Sequence, residues 1–128
     1  MNTRKFSSLQ ERQIAKKLGG KVQPNSGAAN FVAGDVKLEF MLIDAKTVTT
    51  PKKSVAIKEE WFEKIKYEAF AMNKEMSCIA FNYGPGKPNY YAVCEKDFKE
   101  LLQAYKEKYY DDESNSWIKW RYCGVNRK

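Results

Sequence analysis

Residues 34–47 read GDVKLEFMLIDAKT, and this stretch decides the fold. The apolar run 41–43 is typical of a strand covered on both faces. Residues 36–38 precede it across a short turn, so the stretch predicts a tight β-hairpin. Asp44 and Lys46 lie two residues apart on the second strand, and their side chains should therefore project from the same face.

The hairpin carries two carboxylates and a lysine close together, and these are its candidate functional side chains. Asp35 opens the first strand, and Asp44 follows an apolar run, where an unpaired charge is costly. One hypothesis is that Asp35, Asp44 and the backbone carbonyl of Ala45 hold Mg²⁺, which takes hard oxygen ligands. Lys46 would then orient or deprotonate a water and stabilise charge on a phosphate. The alternative is an ordinary ion pair between Asp44 and Lys46, with Asp35 as a turn residue.

The composition narrows the class of protein. A length of 128 residues with 43% apolar residues predicts one globular domain spanning 1–128. The net charge of +7 favours a polyanionic partner, most simply nucleic acid, although a basic protein without such a partner is the alternative. The chain has no histidine, which excludes Ser-His-Asp and Cys-His catalysis and His-based zinc sites.

The cellular location is predicted from the cysteine spacing and from two patterns that the sequence does not show, a signal peptide and a membrane span. Cys78, Cys94 and Cys123 are widely spaced without a C-x-x-C motif, which favours reduced, buried thiols. The sequence shows neither a signal-peptide pattern nor an apolar run near the roughly 20 residues of a membrane span. We therefore expect a cytoplasmic protein that does not enter a membrane.

Periodicity and turn residues predict the order α-β-β-β-α-β-β-α, an α/β (α+β) chain with a mixed central sheet flanked by helices. The first helix should begin at the N-cap Ser8, after a basic arm over 1–6, and end at Gly19. The later elements are a strand near 21–23, the hairpin, a helix near 57–72 ended by Asn73, strands near 77–83 and 90–94, and a helix over 95–109 with Phe98, Leu101, Leu102 and Tyr105 on its inner face. Residues 111–128 are expected to be a polar linker and an aromatic, basic tail, and for 117–122 an edge strand is favoured over a dimer contact or a base-stacking segment.

Further candidate residues lie outside the hairpin. Glu11 completes a capping box with Ser8, yet it also lies on the apolar stripe of its helix (Ile14, Ala15, Leu18), where an acid can reach a metal at the edge of the sheet. Ser26 and Gly27 lie in a loop of small residues that a phosphate can approach closely. Four lysines are candidate phosphate contacts, or simply a solvated face: Lys52, Lys53, Lys58 and Lys64.

These residues, taken in order, resemble a known family. Glu11 on the first helix, the Ser26-Gly27 loop, Gly34-Asp35-Val36 and Asp44-Ala45-Lys46-Thr47 are similar to the motifs of the PD-(D/E)XK nuclease superfamily. Within it, the similarity is greatest to archaeal-type Holliday junction resolvases and related phage endonucleases. It covers roughly residues 8–81. Gly34 stands in place of the superfamily's proline, and Asp44 stands where glutamate is more usual.

The resemblance implies a restriction-endonuclease-like core and an endonuclease that depends on Mg²⁺ or Mn²⁺. It implies a homodimer that nicks two strands of branched DNA, such as a Holliday junction, in recombination or repair, in the cytosol of a bacterial or archaeal host if the protein is phage-encoded. Three alternatives stay open: a non-catalytic DNA-binding protein on the same fold, a repair or restriction nuclease on other DNA, and an enzyme acting on RNA or nucleotides.

Overall fold

The computed structural model describes residues 3–23, 35–111 and 116–117. The chain divides into two compact units, residues 1–94 and 95–128. The expectation of a single domain stays a prediction. The linker and tail predicted for 111–128 lie largely outside the described residues.

A five-stranded sheet forms the first unit, and its strand order in space follows the order in sequence. The strands are β1 (Lys21–Val22), β2 (Val36–Lys37), β3 (Met41–Lys46), β4 (Met76–Phe81) and β5 (Tyr90–Ala92). β3 and β4 pair in parallel, and the other neighbours pair antiparallel. The sheet is therefore mixed, as predicted, and the hairpin of β2 and β3 forms with Val36 opposite Ile43.

Two helices cover opposite faces of the sheet, because alternate residues of β3 point to opposite sides. Ile43 packs in one cluster with Ile14 of α1 (Thr3–Leu18). Leu42 packs in a second cluster with Ile65 of α2 (Glu59–Ala71). All four of these side chains are at most 1% exposed. The run 41–43 is thus buried from both sides, as its apolar character predicts.

Helix α1 begins earlier than the sequence predicts. It starts at Thr3, so Ser8 lies inside the helix and is not its N-cap, and the predicted basic arm is helical from Thr3 onward. The capping-box interpretation of Glu11 is therefore wrong. Leu18, expected on the buried stripe, is 42% exposed. The physical reason is that Ser7 and Ser8 are tolerated within a helix when the turns on either side of them continue it.

The C-terminal ends of α1 and α2 are confirmed. Gly19 has a φ of 76° and Asn73 a φ of 60°, the left-handed conformation that ends a helix. The N–H of Gly20 donates to Ala15 O, which completes the motif at the end of α1. A Cβ atom at Gly20 would lie 2.9 Å from the Lys37 carbonyl oxygen, so glycine permits α1 and β2 to lie close together.

The second unit contains α3 (Glu95–Tyr109) and a short ladder of β6 (Tyr110–Asp111) and β7 (Ser116–Trp117). The bounds of α3 match the prediction. The expected inner-face residues are instead exposed, to between 37% and 52%: Phe98, Leu101, Leu102 and Tyr105. Periodicity determines which face of a helix is apolar, but it does not determine whether another element covers that face.

The described residues contain three helices and a mixed sheet, so the α+β class and the element order are confirmed as far as α3. No helix in that part of the chain is long and apolar enough to cross a membrane. Of the cysteines, Cys78 is buried as expected, whereas Cys94 is exposed.

Candidate active site

The end of the β2–β3 hairpin brings the predicted acids together. The N–H of Asp35 donates to Ile43 O, which extends the pairing of the two strands by one residue. Oδ2 of Asp35 accepts a 2.7 Å hydrogen bond from the N–H of Ala45. Asp35 therefore lies beside Asp44, at the end of β3, and is fixed to the strand that carries the second acid.

The electrostatics of Asp35 show how closely the acids cluster. Its pKa is raised to about 8, first by burial, then by hydrogen bonding with the Asp44 carboxyl and by the charges of Asp44 and Glu11. The N–H of Ala45 opposes this shift by stabilising the carboxylate. Burial beside Asp44 therefore favours the protonated form of the Asp35 carboxyl. Such a cluster destabilises the folded chain unless a cation or proton neutralises it, which is typical of a functional site.

Glu11 approaches the same cluster from α1. Its pKa is raised by burial and by the negative charge of Asp44. Glu11 is half-buried on α1, and its expected role as a metal ligand stays a prediction.

Lys46 lies next to Asp44 on the α2 side of the sheet. Its Nζ is 3.1 Å from Asp44 Oδ2. The ordinary ion pair between Asp44 and Lys46, which was the alternative to a metal site, therefore does form. The same Nζ is 4.4 Å from the centroid of the Trp61 ring, within the range of a cation–π interaction. The ion pair accounts for Lys46 and Asp44 only, and it does not explain why Asp35 and Glu11 are partly buried near the same carboxylate.

The donor set at this position fits a hard divalent cation. Mg²⁺ commonly takes one or two carboxylates and completes its shell with waters and substrate phosphate. Asp35 and Asp44 would supply the two carboxylates, and a cation between them would favour the ionised form of Asp35. Among the described residues, no group of three or more His, Cys, Asp or Glu side chains is arranged to hold a metal ion. Ala45 contributes its N–H to Asp35, and the role of its carbonyl stays a prediction.

A buried glutamine that the sequence reasoning missed supports the end of β3. Gln10 is 4% exposed, and its Nε2 donates to Lys46 O (3.2 Å) and to Asn89 Oδ1 (3.1 Å). Its Oε1 accepts a 2.7 Å hydrogen bond from the Thr47 hydroxyl. The available signal was its position four residues before Ile14, on the buried side of α1.

The side-chain amides of Gln10, Asn89 and Asn82 form a hydrogen-bonded chain. Backbone groups at the two ends of this chain determine which atom of each amide donates and which accepts. Gln10 must present its NH₂ group to the Lys46 carbonyl, so it faces Asn89 as a donor. Asn82 accepts from the N–H of Gly84 and must therefore also donate to Asn89 Oδ1, at 3.1 Å. The chain of amides connects α1, the end of β3 and the loop before β5.

The predicted DNA contacts are partly located. Lys52, Lys53, Lys58 and Lys64 are all exposed. The N–H of Lys52 donates to Tyr83 O, which ties the segment after β3 to the segment after β4. Lys58 lies 6.0 Å from the centroid of the Trp61 ring and therefore shares that ring with Lys46. Ser26, Gly27 and Gly34 lie outside the described residues.

No protein-family model, curated protein or solved structure matches this chain. Conclusions about its function therefore depend on the residues and their geometry.

Proposed function

We propose that the chain is a DNA endonuclease that depends on Mg²⁺ or Mn²⁺ and hydrolyses phosphodiester bonds. The observation that carries the proposal is the placement of Asp35, held by the N–H of Ala45, next to Asp44 and its ion pair with Lys46. Such a pair of acids binds a cation readily, because the cation removes the repulsion between the carboxylates.

Each group has a distinct role in this proposal. Asp35 and Asp44 hold the cation, and Glu11 adds negative charge beside them. When bound, the cation supplies Lewis acidity to the phosphate and lowers the pKa of a coordinated water. Lys46 stabilises the negative charge that builds up on the phosphate, since its ammonium lies on the same side of the sheet as Asp44.

The charge of the chain supports DNA as the substrate. The net charge is +7, and the exposed Lys52, Lys53 and Lys58 lie between β3 and the first turn of α2. Lysines in such positions bind the phosphate backbone without reading sequence. The restriction-endonuclease-like core, the homodimer, the cytoplasmic location and the preference for branched DNA such as Holliday junctions are proposed from the motif resemblance.

A nuclease assay tests the proposal. Four-way junctions, flaps and linear duplexes are incubated with the protein and Mg²⁺ or Mn²⁺. We expect cleavage by the wild type, and loss of cleavage with DNA binding retained in Asp44→Asn and Lys46→Ala. The exposed pair Glu63→Gln and Lys66→Ala on α2 provides matched controls that should cleave normally.

Two outcomes would overturn the proposal. The first is a wild type that leaves all three kinds of DNA uncut with either metal. Steep salt-dependent binding without cleavage would then favour the non-catalytic DNA-binding alternative. The second is an Asp44→Asn variant that cleaves as fast as the wild type.

A further inference from the structure

The ammonium of Lys46 is held on two sides by groups of different chemistry. One is the Asp44 carboxylate, with 3.1 Å between Nζ and Oδ2. The other is the indole of Trp61, with 4.4 Å between Nζ and the ring centroid. The side chain of Lys46 is only 30% exposed, so water screens these interactions less than on an open surface.

The Trp61 ring is fixed independently of the lysine. Trp61 lies in the first turn of α2, where its N–H donates to Lys58 O at 3.1 Å. Its side chain packs against the buried cluster of Leu42, Ile65, Ala69 and Ile79. The ring therefore presents a rigid aromatic surface at the position where Lys46 leaves the end of β3.

The two partners of Lys46 respond differently to a cation at the site. A cation held by Asp44 would compete for the charge of the carboxylate and would weaken the attraction between Asp44 and the Lys46 ammonium. The quadrupole of an aromatic ring has no such competitor, because a hydrated divalent ion prefers oxygen ligands. The indole thus keeps its hold on Lys46 when the carboxylate is engaged.

We infer that Trp61 is a positioning residue, whose indole holds the Lys46 ammonium in place for the reaction. This inference rests on the proposed function. Trp61 itself makes no contact with the reacting phosphate in this assignment. The ring also attracts Lys58, at 6.0 Å from its centroid, and so gathers two positive groups beside the acid cluster.

Cleavage by Trp61→Leu and Trp61→Phe tests the inference kinetically. Leucine removes the aromatic ring, and we expect kcat to fall about tenfold, the size of one partly shielded cation–π interaction, with KM for DNA little changed. Phenylalanine keeps an aromatic face and should recover part of the loss. The matched control is Phe70→Leu on the same helix, because Phe70 is 80% exposed and outside the site.

Nuclear magnetic resonance of Lys46 gives a second measurement that needs no activity. A side chain over an indole ring has upfield-shifted Cε protons, so these signals should be shifted in the wild type and in Phe70→Leu, and should return to the ordinary range in Trp61→Leu. Trp61→Leu with unchanged kcat, beside an inactive Lys46→Ala, would overturn the inference and leave the proposed function standing.

The two hypotheses remain separable if no cleavage is seen at all. A wild type that cuts no DNA overturns the nuclease proposal. Lys46 signals in the ordinary range in the wild type would overturn the Trp61 inference by themselves, and they can be measured even if Trp61→Leu fails to fold.

Discussion

The backbone N–H of Ala45 donates a 2.7 Å hydrogen bond to Oδ2 of Asp35, ten residues earlier in the chain. This bond fixes the first acid of the hairpin to the strand that carries the second. It also keeps Asp35 partly buried next to Asp44, although both carry negative charge when ionised. The folded structure therefore holds two carboxyl groups so close that ionising both is unfavourable unless a cation lies between them.

The stability of the metal-free protein should fall as pH rises. The pKa of Asp35 in the folded chain is raised to about 8, above the value of about 3.9 for an unfolded chain. Between these pH values the folded state binds a proton that the unfolded state has released. The free energy of unfolding should therefore decrease by at most about 1.4 kcal/mol per pH unit and level off above pH 8.

Asp35→Asn should remove most of this slope, since asparagine does not titrate. Urea denaturation at several pH values between the two pKa values of Asp35, without divalent cations, measures how the free energy of unfolding depends on pH. The exposed Glu75→Gln should keep the wild-type slope, and an Asp35→Asn variant with the same slope as the wild type would contradict the prediction.

Divalent cations should stabilise the folded protein. At a free concentration ten times the dissociation constant, the gain is about 1.4 kcal/mol, or roughly 5 °C in Tm for a domain of this size. Thermal denaturation with Mg²⁺ and Mn²⁺ should show this increase for the wild type and for Glu63→Gln, but not for Asp44→Asn. An equal increase in Asp44→Asn would place the bound cation elsewhere.

Gln10→Ala should destabilise the protein by about 2 kcal/mol, because it removes the amide donor to the Lys46 carbonyl and leaves the Thr47 hydroxyl without its acceptor. It should also slow cleavage, since Gln10 supports the end of the strand that carries Lys46. Chemical denaturation and the nuclease assay measure the two effects. Gln13→Ala, exposed on the same helix, should change stability by less than about 0.5 kcal/mol. Equal stabilities of the two variants would argue against a structural role for the amide chain.

Lys52→Ala and Lys53→Ala should each weaken DNA binding and reduce the dependence of log K on log salt by about one. Fluorescence anisotropy of a labelled duplex or junction over a range of salt concentrations provides the measurement. Lys17→Ala is the control, as an exposed lysine in the last turn of α1. A reduction as large in Lys17→Ala as in the other two variants would mean that the lysines act through net charge alone.

Much of the local structure could be predicted from the sequence. The apolar run 41–43 identified β3, and Gly19 and Asn73 marked where α1 and α2 end. These features depend on side-chain pattern and backbone preference within a few residues. The start of α1 was predicted five residues late, because Ser8 and Glu11 imitate a capping box within a helix that continues through them.

The candidate site was predicted in part. Spacing along one strand placed Asp44 and Lys46 on one face, and the register of the hairpin brought Asp35 to them. Gln10 was missed because its partners at Lys46 and Asn89 are 36 and 79 residues away in the chain. Trp61 packs against the buried cluster between α2 and the sheet, but its contact with Lys46 depends on how α2 crosses the sheet.

The sequence by itself determined the elements of this protein, the hairpin and the acids and lysine it carries, because these follow from interactions between near neighbours in the chain. Only the tertiary structure decided that Asp35 is buried against Asp44, that Glu11 lies near the charge of Asp44 and that the Trp61 ring lies beside the Lys46 ammonium. Those properties arise from burial and from distances between separate elements. The burial of these side chains and the distances between them are set by the packing of α1 and α2 against opposite faces of one sheet.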